Sequence, residues 1–149
     1  MNYLDATALV MRYVPGPGGV WVEEQLRAPE PQYTSAMSYA EVHAALARRF
    51  REGDLKRAAY RSARNEFERD WLAVQEVAVD QSTMSSVPLV VEQARLRGMD
   101  AIHLSAAVWL SRQFGRAPRF ISSDLRLIDA ARLFGFLVAN PTEAENKGQ

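Results

Sequence analysis

Apolar and polar positions alternate between two rhythms along the chain. Short extended blocks at Tyr3–Leu4, Gln32–Ser35, Val77–Val79, RFISS (119–123) and FLVA (136–139) read as strands. Between them the apolar positions recur at helical spacing. Thr7 to Tyr13 forms a short helix ended by Pro15 and Gly16, and Val20 to Leu26 begins a second. In SYAEVHAALARRF, Val42, Ala45, Leu46, Arg49 and Phe50 fall on one helical face, and Gly53 closes the element. Asp54 is placed to cap the next helix, which carries Leu55, Ala58, Ala59, Ser62 and Ala63 and runs to about Trp71. Pro88 opens a helix that reaches Gly98, DAIHLSAAVWLSRQFG forms one from Asp100 to Gly115, and LRLIDAARLF forms one before Gly135. Strands that alternate with helices predict a mainly parallel central sheet covered on both faces, a three-layer α/β/α sandwich. The pattern implies one domain over residues 1–141, followed by a polar tail at 142–149.

Composition narrows the chemistry. The 149 residues include no cysteine, which removes disulfides, thiolate metal sites and a cysteine nucleophile and suits a reducing, cytoplasmic setting. No run approaches the roughly 20 apolar residues of a membrane span, so the expectation is a protein without a membrane partner. Eighteen basic residues balance eighteen acidic ones, so no global field draws the molecule to nucleic acid. Locally, Arg48, Arg49, Arg51, Lys56, Arg57, Arg61, Arg64 and Arg69 face Glu52, Asp54, Glu66 and Glu68. A solvated helix face with ion pairs accounts for such a stretch. It also offers Arg57, Arg61 and Arg64 as a surface for RNA or a protein partner.

The acids carry the sharper signal. Ligands of parallel sheets collect beyond the carboxyl ends of the strands. Asp5 ends the first strand, Asp124 follows RFISS, Asp100 stands at a helix N-terminus and Glu41 in the first turn of its helix. Each has a plain alternative: Asp5, Asp100 and Asp124 as helix caps, and Ser38-x-x-Glu41 as a capping box. Gathered at one edge, four carboxylates repel, by about 4 kcal/mol for a pair 4 Å apart at an effective dielectric near 20. No Lys or Arg lies within YLDATALV, MSYAEV or GMDAIHL to neutralise them. Oxygen donors without histidine or cysteine suit Mg²⁺ or Mn²⁺, and those ions suit a phosphate ester substrate. His103 lies among apolar residues and reads as a core or supporting histidine rather than a zinc ligand, and His43 as structural.

YLDATALV, SAMSYAEVHAALARR, LRGMDAIHLSAA and FISSDLRLIDAARLFGFLVANP, in that order, resemble the PIN-domain ribonucleases, most closely the VapC-type toxins of bacterial toxin–antitoxin pairs. The resemblance implies a PIN-like fold, a Mg²⁺- or Mn²⁺-dependent endoribonuclease, a homodimer, an RNA substrate and a cognate VapB-like antitoxin that blocks the acidic pocket. It places the family's acids on Asp5, Glu41, Asp100 and Asp124, with Asp5, Asp100 and Asp124 toward the metal. The hydroxyl near the first acid falls on Thr7, since Ala6 stands where relatives often have Thr or Ser, and Ser123 precedes the last acid. Asp129 lies too far along its helix to serve as a further acid. The rival of another class is a catalytically weak PIN-like module that works through antitoxin and operator association. A phosphoacceptor receiver domain is disfavoured, because neither Lys56 nor Lys147 follows a strand.

Overall fold

A computed structural model describes residues 1–147. Five strands, β1 (Asn2–Leu4), β2 (Gln32–Ser35), β3 (Gln75–Val77), β4 (Arg119–Ile121) and β5 (Val138–Ala139), lie in the order β3-β2-β1-β4-β5. All four pairings are parallel, with Tyr3 opposite both Tyr33 and Phe120 and Leu4 opposite Ile121. From β1 the chain builds outward to β2 and β3, then returns to the other side of β1 for β4 and β5. The order therefore reverses between β1 and β4.

Alternation along the strands builds the layers. Tyr3 and Phe120 point to one face and stack at 5.2 Å between ring centroids. Above them pack α6 (Val87–Ala94), α7 (Gly98–Phe114) and α8 (Leu125–Leu133) through Val90, Leu104, Leu110 and Leu127. Leu4 and Ile121 point to the other face. There they meet Leu9 of α1 (Ala6–Met11), Val22 of α2 (Gly19–Arg27), Val42 and Leu46 of α3 (Met37–Glu52) and Phe67 of α4 (Arg57–Trp71). This is the three-layer sandwich that the alternating pattern predicts. No helix among the described residues is long and apolar enough to cross a membrane.

Several boundaries differ from expectation, each for a local reason. Asp54 does not cap α4: Lys56 holds that position without a side-chain cap, Leu55 is buried ahead of the helix, and Asp54 pairs with Arg49 at 3.6 Å. A short helix, α5 (Gln81–Met84), follows β3 and is opened by a capping box between Asp80 and Thr83. α6 ends at Ala94 rather than near Gly98, because Arg95 turns into the left-handed region at φ 52°, and Gly98 instead opens α7. The polar stretch from Thr142 is helical: α9 (Pro141–Lys147) packs against α2, where Glu145 accepts from the backbone N–H groups of Gly18 and Trp21. The last two residues of the expected tail, Gly148 and Gln149, lie outside the described residues.

Candidate active site

The strand order reverses where β1 meets β4, and an acid follows each strand there, Asp5 directly after β1 and Asp124 in the turn from β4 into α8. Asp5 is 1% exposed, and its carboxylate is held by three donors. The Ala8 N–H reaches Oδ1 at 2.9 Å, the Ser122 hydroxyl reaches Oδ2 at 2.8 Å, and the Thr7 hydroxyl lies 2.8 and 2.9 Å from the two oxygens. Asp5 is thus the N-cap of α1, the plain alternative the sequence offers. Burial pushes its carboxyl above the usual carboxylate range, against the charge of His103 and these hydrogen bonds. The side chain is held at the switch point by two donors from the first turn of α1 and one from the residue after β4.

Asp124 caps α8, its Oδ1 accepting from the N–H groups of Arg126 at 2.8 Å and Leu127 at 3.3 Å. Asp100 does not cap: Arg97 holds the N-cap position of α7, and Asp100 stands in the first turn with no hydrogen-bond partner among the described residues. Burial raises the Asp100 carboxyl, and the charge of Asp124 raises it further. His103, Arg126 and Arg97 act in the opposite sense on Asp100, and Arg126 also lies 3.9 Å from Asp124. The expectation that no cation sits beside the acids is therefore corrected. Arg126 and Arg97 lie just outside the segments in which sequence reasoning looked.

Glu41 is not part of a capping box. α3 begins at Met37 without a side-chain cap, so Glu41 lies beyond its first turn, and Ser38 is buried with its hydroxyl 2.7 Å from that of Thr34. The Glu41 carboxylate instead meets Nε2 of His103 at 2.7 Å, and Nδ1 of His103 lies 2.9 Å from the Tyr3 hydroxyl. A carboxylate only accepts, so Nε2 carries the proton in this pair. His103 is 3% exposed, a supporting histidine as expected. Burial alone would depress it, but the Glu41 bond and the charges of Asp5, Glu41 and Asp100 outweigh that and raise its pKa above 6.5. His43 binds Glu68 at 2.9 Å among Tyr39 and Phe67, away from these groups.

Two clefts open beside the acids. One, of about 380 Å³, runs between α1 and α3 and is lined by Thr7, Glu41 and Ser123 together with Arg48 and Arg49. The other, of about 410 Å³, lies between α6, α7 and α8 with Asp100, Arg95, Arg97 and Arg126 on its walls. Of the expected basic stretch, Arg48 and Arg49 line the first cleft, while Arg57, Arg61 and Arg64 line neither. Arg57 and Arg64 stand over the rings of Phe50 and Tyr60, and Arg61 is exposed on the same helix. Asp129 pairs with Arg132 at 2.9 Å. Sequence reasoning missed Ser122, because a serine at a strand end carries no signal until its neighbour in the sheet is known.

The donor chemistry fits a hard divalent cation. Asp100 and Asp124 offer mutually repelling carboxylate oxygens, and a cation would offset that repulsion. Asp5 has three of roughly four acceptor positions filled, which leaves it at most one direction for a metal or its water. Among the described residues no group of three or more His, Cys, Asp or Glu is gathered closely enough to hold an ion by itself. The arrangement therefore suits an ion such as Mg²⁺, which takes one or two carboxylates and keeps several waters.

No family model matches the chain. Among characterised proteins, Ribonuclease VapC46 of Mycobacterium tuberculosis is 34% identical over 140 residues, covering 94% of this chain and 97% of that protein. The chain belongs to the VapC ribonucleases. A second relative from that organism, Ribonuclease VapC47, is 28% identical over 145 residues, covering 95% of this chain and 97% of its own. The VapC likeness extends to solved folds. FitAcB from Neisseria gonorrhoeae superposes with a TM-score of 0.69 at 17% identity, over 95% of this chain and 98% of that one. A toxin–antitoxin complex from Klebsiella pneumoniae superposes with a TM-score of 0.62 at 15% identity, over 95% and 98%. These two likenesses speak for the fold, which is the PIN-like sandwich of the VapC proteins.

Proposed function

We propose that this VapC-family chain is a metal-dependent endoribonuclease and the toxin of a toxin–antitoxin pair. The observation that carries the reading is the hydrogen bond at 2.7 Å between His103 and Glu41 beside the β1–β4 switch point, where parallel sheets bind ligands; His103 feels the charges of Asp5 and Asp100, and Asp100 that of Asp124. Asp100 and Asp124 would hold Mg²⁺ or Mn²⁺ directly and Asp5 through water. The ion, when bound, supplies positive charge against the scissile phosphate and eases deprotonation of water.

The chain's own residues do the rest. Glu41, held by His103, orients the attacking water and accepts its proton. Thr7 keeps the Asp5 carboxylate in place and receives the Ser123 N–H at 3.0 Å, fixing the loop that faces the substrate. Attack on phosphorus with loss of the 3′ oxygen leaves 5′-phosphate and 3′-hydroxyl ends. A VapB-like antitoxin partner is supported by the family and by the toxin–antitoxin neighbour. A homodimer and a cytoplasmic setting complete the reading.

Asp100→Asn is the cleanest test, since the carboxyl has no hydrogen bond to lose among the described residues. The variant should fold as wild type and cleave RNA about 100-fold more slowly or worse with Mg²⁺, in keeping with several kcal/mol of lost charge stabilisation. Cleavage at the wild-type rate would exclude this assignment.

A further inference from the structure

The link between α6 and α7 is the three-residue run Arg95-Leu96-Arg97. Leu96 packs against the core, so the chain is pinned at its middle, and both flanking arginines are exposed on the wall of the 410 Å³ cleft. Neither makes an ion pair within 4.0 Å among the described residues. Arg95 is also the one non-glycine residue with positive φ among them, at φ 52° and ψ 36°. That helix-ending position favours glycine or asparagine.

Local structure explains only half of this. An arginine at the C-terminus of α6 gains from the helix dipole, but Arg97 caps the N-terminus of α7, where the dipole disfavours a cation. Local backbone preference selects neither Arg95 at a left-handed position nor Arg97 at a helix N-terminus, and both side chains stand exposed at the cleft without an ion pair among the described residues. The same cleft is lined by Arg126, by the acids Asp100 and Asp129, and by Ala94, Ala130 and Leu133, and Asp129 is paired with Arg132. Three arginines along a cleft that reaches Asp100 suit the phosphates of a nucleic-acid strand.

We propose that Arg95 and Arg97 bind backbone phosphates of a single-stranded RNA and lead it to Asp100. The assignment rests on the nuclease reading of the acids and extends it to the strand that the acids would cut.

The test measures binding without cleavage. A labelled single-stranded oligoribonucleotide of about a dozen nucleotides, within the span such sites cover, is titrated in EDTA across a salt series while fluorescence anisotropy is read. Arg95→Gly and Arg97→Gln should each weaken binding about three- to tenfold, and the double variant should flatten the salt slope by about 1.4, or 0.7 per phosphate. Arg95→Gly should melt at or above the wild-type temperature, because glycine suits its backbone.

Unchanged affinity and slope in the double variant would overturn the proposal, as would a lower melting temperature with RNA affinity intact. So would a double variant that keeps RNA but loses an acidic antitoxin peptide, since the cleft would then be a protein-docking site. Cleavage by wild type with Mg²⁺ is scored separately. Arginine-dependent binding without cleavage supports the cleft and refutes the nuclease, whereas cleavage with arginine-independent binding refutes the cleft alone.

Discussion

Tyr3 and His103 stand 100 positions apart in the chain, and the hydroxyl of one lies 2.9 Å from Nδ1 of the other. The pair joins the first strand to the helix that carries Asp100. Through Nε2 the same imidazole reaches Glu41, so two buried side chains tie a strand to a partly exposed acid on a third element. The Tyr3 ring is fixed in turn by its stack on Phe120. The core thereby sets where the Glu41 carboxylate sits.

Tyr3→Phe removes the hydroxyl and keeps the stack. The Nδ1 atom loses its buried partner, which should lower stability by about 1–3 kcal/mol. The imidazole also becomes free to tilt, so kcat for RNA cleavage should fall while KM stays near wild type. Steady-state kinetics beside thermal melts check this, and a wild-type kcat would show that Glu41 holds its place without Tyr3.

His103 predicts the sign of a pH effect on the metal-free protein. Its pKa is raised in the folded state, so folding takes up protons between the unfolded value near 6.5 and the higher folded one. The stabilisation is complete below about pH 6.5 and is lost as pH rises through the folded value. In EDTA the melting temperature of wild type should therefore drop over that interval relative to His103→Gln. A difference that is flat or grows with pH contradicts the assignment.

Much of this was legible in the sequence, and what was not has a common physical origin. The layers followed from periodicity, because buried strands and one-sided helices leave their pattern in the chain. The position of Asp5 followed from apolar flanks that leave a carboxylate no local solvent. Helix ends were less legible: Asp54 and Ser38 have capping chemistry, but Leu55 and Thr34 drew the chain into other contacts. Arg126 escaped notice beside the acids because its proximity to Asp100 depends on how α8 lies against α7. Arg95 carries no sequence signal at all, since its left-handed backbone is imposed by where α6 must stop.

Asp124 has two roles that a single pair of variants separates. Asp124→Asn keeps an N-cap acceptor of nearly equal quality while removing a charge that raises Asp100. Its melting temperature in EDTA should equal or exceed that of wild type while Mg²⁺-dependent cleavage is lost. Asp124→Ala also loses the cap and should be less stable than the Asn variant by about 1 kcal/mol. Equal stabilities for the two would mean that the cap contributes nothing.

Ser122 and Ser123 are neighbours with opposite expected behaviour. The Ser122 hydroxyl is fully buried, donates to Asp5 at 2.8 Å and accepts the Asp124 N–H at 3.0 Å, so one oxygen joins the acids of β1 and β4. Ser122→Ala removes a hydrogen bond to a buried carboxylate and should cost about 1.5–3 kcal/mol. It also removes one of the interactions that lower the Asp5 pKa, so Asp5 should titrate higher still. Ser123 holds Thr7 through its backbone N–H, which an alanine retains, and its side chain faces the α1–α3 cleft. Ser123→Ala should leave the melting temperature unchanged and act only on RNA affinity. Denaturant unfolding of the two variants compares them directly, and similar losses in both would mean that the hydroxyl of Ser122 does not organise the site.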